Sequence, residues 1–295
     1  MLKTERMDRV RAALRAQGLT QMIVCDPKSV WYLTGVAVEP YERLLALYLP
    51  PEGEPVLFLN RLFNVPEPPC RTVWHTDTDK PVAQIAEVVD AGRPLGIDKE
   101  WPAKFLIPLM ETHPGMQVVL SSDCVDDCRA CKDAEEQTLM REASRINDAV
   151  NEAAKHYIKV GMTEREVAEF IDAQFRAHGC EGPSFTTIVS FGANAADPHH
   201  EPDDTVLKEG DCVLFDMGCV KSRYCSDMTR TWFCGQPTEK QAAVHDLVRR
   251  ANEAAEALIK PGVRLCELDA AARDLITPPA LVWRAVRWLL LPPPK

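Results

Sequence analysis

The chain has 295 residues, 46% of them hydrophobic and 26% charged, the make-up of an ordinary soluble protein that is too long for one small core. A formal net charge of -10, with no clustered run of Lys and Arg, argues against a nucleic-acid partner, because phosphate binding is driven by basic clusters. No stretch reaches the roughly 20 apolar residues of a bilayer span, and the charged start MLKTERMDRV lacks the apolar core of a secretory signal. The expectation is a cytoplasmic protein with no membrane partner.

In chain order, Thr4 to Gln17 has apolar residues at helical spacing (Met7, Val10, Leu14), Met22 to Cys25 is a short apolar run, and Ser29 to Leu33 predicts a short helix closed by Gly35. Leu44 to Leu49 and Pro55 to Leu59 read as strands around the turn Pro-Pro-Glu-Gly; Val82 to Val89 is helical and Leu95 to Ile97 is a strand. That alternation predicts a small α/β domain. Eleven cysteines, an odd number without a signal, read as reduced thiols. Cys124, Cys128 and Cys131 are consistent either with an irregular zinc cluster or with free thiols at a domain junction.

From Lys132 the pattern changes to a long amphipathic helix with Leu139, Ala143, Ile146, Val150 and Ala154 on one face, stopped at Gly161. A second helix begins at Thr163, with Glu166 three residues on as a capping box, and ends before Gly179. The chain is then strand-rich to Gly235, and Thr238 to Ile259 is helical. The boundary falls near residues 125 to 131, dividing the chain into 1–128, 129–276 and a tail, 277–295. The tail holds five prolines and two of the six tryptophans but no acidic residue, a break that reads as a departure from the main fold.

Two aspartates carry the functional signal. Val213 to Asp216 and Arg223 to Cys234 read as strands, and with Lys221-Ser222 as the loop between them Asp216 pairs directly with Asp227. Directly opposed Cβ atoms lie about 4.5–5.5 Å apart, so these carboxylates need a shared proton or a divalent cation; otherwise they are unrelated residues of a solvated hairpin. An oxygen pair of this sort suits Mn, Co, Fe or Zn when a histidine completes the set. His199 and His200 follow the irregular stretch Gly192-Ala193-Asn194 and are either surface residues or groups placed to bind substrate and move a proton.

DPHHEPDDTVLKEGDCVLFDMG followed by SRYCSDMTRTWFCG resembles the core motifs of the pita-bread metallopeptidases, the Xaa-Pro aminopeptidases, prolidases and creatinase-like relatives. KDAEEQTLMREA, KVGMTEREVA and SFTTIVSFGANAADPHH match that family in order and spacing, and CDPKSVWYLTG resembles the amino-terminal domain often joined to it. The resemblance implies an α/β amino-terminal domain followed by an α+β pita-bread domain, incomplete at its carboxyl end. It implies that Asp216 is the first aspartate ligand of a centre of two divalent metal ions (Mn, Co, Zn or Fe). Asp227 would bridge both ions, and His199 would bind or protonate the substrate. The implied reaction is hydrolysis of short proline-containing peptides by a metal-bridging hydroxide, in a family whose two-domain members are commonly homodimers. Family members supply three further ligands, a histidine in a Gly-His-Gly stretch and two glutamates. No such stretch is present here, and the one histidine after Asp227 is His245. The chain alone is therefore expected to be inactive. A metal-independent amidinohydrolase of the creatinase type and a non-catalytic binding module are the alternatives.

Overall fold

The computed structural model describes residues 2–277. Contacts divide the chain into two compact units, Met1–Lys132 and Asp133–Lys295. The expected tail lies, apart from Thr277, outside the described residues.

In the first unit α1 (Thr4–Ala16) leads to β1 (Gln21–Val24), α2 (Pro27–Thr34), β2 (Ala46–Leu49), β3 (Val56–Asn60) and β4 (Arg71–His75). There follow α3 (Pro81–Ala86), β5 (Leu95–Ile97), α4 (Ala103–Thr112), β6 (Val118–Leu120) and α5 (Asp123–Ala130). The strands form one mixed sheet in the order β4-β3-β2-β1-β5-β6, with β1–β2 and β2–β3 antiparallel and the other pairs parallel. β1, β2 and β3 are buried at every position, as strands covered on both faces must be. One face packs on Met7, Val10 and Leu14 of α1 with Val30 and Leu33 of α2; the other packs on Ile85 of α3 and Leu109 of α4. This is a small α/β domain, as the alternation predicts, with helices packed on both faces of its sheet. Gly35, at φ 74°, ends α2 in the left-handed conformation that a glycine adopts without Cβ strain.

β4, α4, β6 and α5 were outside the expected elements. β4 begins on an exposed Arg71, and α4 carries Pro108 within it, two features that break the apolar periodicity. α5 also settles the cysteine question locally. Cys124 is packed in the core beside Val125, where burial pushes its thiol up to about 11; burial raises Cys128 too, and Cys131 is exposed at the helix end. Cys124 and Cys128 are packing groups and Cys131 faces solvent; among the described residues the three do not converge as ligands.

The second unit opens with α6 (Ala134–Tyr157) and α7 (Glu164–Ala177). It continues through β7 (Gly182–Pro183), β8 (Ile188–Phe191), a 3-10 turn (Gly192–Ala196), β9 (Cys212–Met217), β10 (Cys219–Lys221), β11 (Tyr224–Cys225), β12 (Met228–Phe233), α8 (Glu239–Glu256) and α9 (Leu265–Ile276). Each of α6, α7 and α8 begins with a reciprocal capping box, Asp133 with Glu136, Thr163 with Glu166 and Thr238 with Gln241. Glu136 does two jobs: Oε2 accepts the Asp133 N–H at 2.9 Å, and Oε1 accepts the Tyr224 hydroxyl at 2.9 Å. Two three-stranded antiparallel sheets follow, β12-β9-β8 and β11-β10-β7. Val213, Phe215 and Met217 of β9 point into a core shared with Ala143, Val150 and Ala154 of α6 and Val167, Ile171 and Phe175 of α7. The intervening Cys212, Leu214 and Asp216 are half-buried on the opposite face. Among the described residues no helix is long and apolar enough to cross a membrane.

The single strand expected from Arg223 to Cys234 is two, with Ser226 and Asp227 between them. The break coincides with a close crossing: a Cβ on Gly218 would lie 2.0 Å from the Ser226 carbonyl oxygen and 2.3 Å from Ser184 Oγ. Only glycine fits there.

Phe215 is fully buried at the centre of this core. Phe215→Ala should therefore cost about 3–5 kcal/mol in urea denaturation, whereas Ile259→Ala, at a position 67% exposed, should stay within about 0.5 kcal/mol of the parent.

Candidate functional site

The hairpin after β9 turns at Ser222-Arg223, not at Lys221-Ser222. Both residues have positive φ, 50° and 67°, as both central positions of a type I′ two-residue loop require. Lys221 pairs with Tyr224 and Val220 with Cys225, and the same register continues through β9 and β12, where Asp216 pairs with Thr229. The directly opposed aspartate pair is thus overturned. The cause is the turn: neither Ser nor Arg signals left-handed backbone as Gly or Asn would.

In the observed register Asp227 stands diagonally across from Asp216. It lies in the break between β11 and β12, outside the paired ladder that sets Asp216 opposite Thr229. Asp216 is half-buried and its Oδ1 accepts the Thr229 hydroxyl at 2.9 Å. Asp227 is exposed, and among the described residues no protein donor reaches its carboxylate. Burial and then the neighbouring Asp211 raise the thiol of Cys212, two residues from Leu214 on the same face, so it is a poor nucleophile there.

His199 is exposed in the loop after the 3-10 turn, with its backbone N–H donating to Asp197 Oδ1 at 3.0 Å. His200 turns the other way, onto Glu164. This glutamate is the first residue of α7 and is fully buried. Its Oε1 accepts the Phe191 N–H at 2.7 Å and the Asn194 amide at 3.0 Å; its Oε2 faces His200 Nε2 at 2.7 Å and accepts the Asp203 N–H at 3.2 Å. Glu164, His200 and Asp203 are also the one group of three metal-capable side chains that converge within 4.8 Å among the described residues. Both Glu164 oxygens are already filled by protein donors, which favours a hydrogen-bonded hub over a cation site. The Asp203 carboxyl is held below its usual range first by the Thr205 hydroxyl and amide, then, against a small burial cost, by its neighbours Glu164 and His200.

Sequence reasoning singled out the two histidines without separating them and missed Glu164 altogether. Inside Thr-Glu-Arg-Glu, Glu164 reads as one more first-turn acid that favours the helix dipole.

The second unit thus lays two helices on antiparallel strands, with Asp216 on the face of β9 opposite the core and His199 exposed in the loop after the 3-10 turn. Residues 138–284 match the model of metallopeptidase family M24, and residues 6–131 match the creatinase/prolidase N-terminal domain. The chain belongs to that family, with its pita-bread fold. It is 32% identical over 286 residues to a putative dipeptidase, YkvY, of Bacillus subtilis, covering 92% of this chain and 77% of that protein. Its structure is similar to a recombinant prolidase from Thermococcus sibiricus (TM-score 0.85, 30% identity, 94% of this chain and 77% of that one). It is also similar to dipeptidase PepE from Mycobacterium ulcerans (TM-score 0.84, 31% identity, 92% and 76%).

The register has a direct check. Backbone nuclear Overhauser contacts should join Asp216 to Thr229 and Lys221 to Tyr224; a direct Asp216–Asp227 cross-strand contact would show that the turn lies at Lys221-Ser222 after all.

Proposed function

We propose that this chain provides part of the machinery of an Xaa-Pro-type peptidase acting on short proline-containing peptides. The observation that carries the reading is Asp216. Alternation of β9 drives its carboxylate to the face opposite the core, with a single protein donor among the described residues, the Thr229 hydroxyl. Asp227, two residues before Thr229 and with no protein donor among the described residues, is the second carboxylate of the pair. Hard carboxylate oxygens without protein partners fit divalent cations in their donor chemistry, and Asp216 and Asp227 would hold them. When bound, such ions polarise a peptide carbonyl and lower the pKa of water.

The chain's own residues do the rest. His199, on an exposed loop with its backbone tied to Asp197, can meet the substrate and hold or release a proton at its imidazole. Thr229 fixes the rotamer of Asp216 through Oδ1 and leaves Oδ2 for a ligand. The printed names of the relatives, prolidase and dipeptidase, support peptides as the substrate class.

Two carboxylates are too few to hold two ions tightly. Calorimetry of this chain with Mn or Co should show fewer than two tight sites; two tightly bound ions per chain would overturn this account of the ligands. To test the activity, the segment beyond 276 is replaced by that of the Bacillus subtilis relative. The chimera should hydrolyse an Xaa-Pro dipeptide with added Mn, and Asp227→Ala should abolish turnover. Metal-independent turnover of creatine would favour the amidinohydrolase alternative and sink the peptidase reading.

A further inference from the structure

We propose that Glu164 is the positioning residue for the loop that carries His199, acting through His200. A carboxylate that is 0% exposed is costly unless its lone pairs are filled, and here donors from three separate places fill them. Phe191 N–H is the end of β8, Asn194 lies in the 3-10 turn, and His200 and Asp203 lie on the far side of His199. The loop is therefore clasped before and after His199 by one side chain. Further ties run between the same segments: Glu164 N–H donates to the Thr205 carbonyl at 3.1 Å, Arg165 N–H to the Asp203 carbonyl at 3.2 Å, and Asn194 Nδ2 to Thr205 Oγ1 at 3.1 Å.

The clasp sets the histidine's chemistry as well as its place. With Nε2 2.7 Å from Glu164 Oε2, the pairing places a hydrogen on His200 Nε2 and turns the ring inward, which leaves His199 as the histidine of the pair that faces solvent. Glu164 would then govern substrate handling without touching substrate. That consequence rests on the reading of His199 as the substrate-facing imidazole; the clasp itself does not.

Glu164→Gln tests it, because the substitution keeps the shape and exchanges one acceptor for a donor. The new amide would oppose both His200 Nε2–H and Asp203 N–H. Nitrogen-15 spectra of the histidine rings should show His200 protonated at Nε2 in the parent chain and switched to Nδ1–H in the variant, with the His199 resonances displaced. Oε1 would still accept the Phe191 N–H, so amide exchange should rise about tenfold or more at Asp203, while that of Phe215 in the core stays at its parent value. Glu164→Ala, which removes both oxygens, should accelerate Asp203 further and Phe191 as well. An unchanged His200 tautomer with parent-like exchange at Asp203 would overturn the proposal. Equal acceleration at Phe215 and Asp203 would also overturn it, by making Glu164 a residue of the fold as a whole. If these signatures hold while the chimera described above shows no peptidase activity, the clasp stands and the substrate reading falls.

Discussion

Everything at the site depends on the alternation of one strand. Burying Val213, Phe215 and Met217 against α6 and α7 commits Cys212, Leu214 and Asp216 to the other face, because consecutive side chains of an extended chain cannot share a side. The apolar half of the pattern supplies the stability and the polar half inherits its direction. The direction of the carboxylate at position 216 is thus set by the burial of its apolar neighbours, and a slip of β9 by one position would bury it in the core.

The second constraint is electrostatic. A buried carboxylate at the start of α7 gains from the helix amides, yet the larger part of its accommodation comes from side-chain and backbone donors gathered from elsewhere in the unit. Glu164 and Asp216 thus represent opposite solutions to the same difficulty. One is enclosed and saturated by the protein, and so becomes structure. The other stays half-buried, with the Thr229 hydroxyl on Oδ1 and no other donor among the described residues.

What could be read from the amino-acid order follows the range of the interactions involved. The Thr163–Glu166 box, the αL stop at Gly35 and the spacing of Val150 and Ala154 are decided within a few residues, and each has its expected place. The aspartates were legible as a pair on one hairpin, but their register was not, since Ser222 and Arg223 take left-handed conformations without the residues that advertise them. Pro108 hid α4 by interrupting its period. Glu164 stayed hidden for a deeper reason: its burial is produced by chain that arrives some 30 to 40 residues later, and the Phe191 and Asp203 amides that need it leave no mark in their own side chains.

Glu136 has a mechanical implication. Its two oxygens tie the amino end of α6 to its own cap and to Tyr224, so the first turn of a 24-residue helix is riveted to the β10–β11 hairpin. Unwinding the first turn of α6 would have to break the Tyr224 bond as well as the cap. The helix is thereby protected from fraying at the end where the chain enters this unit.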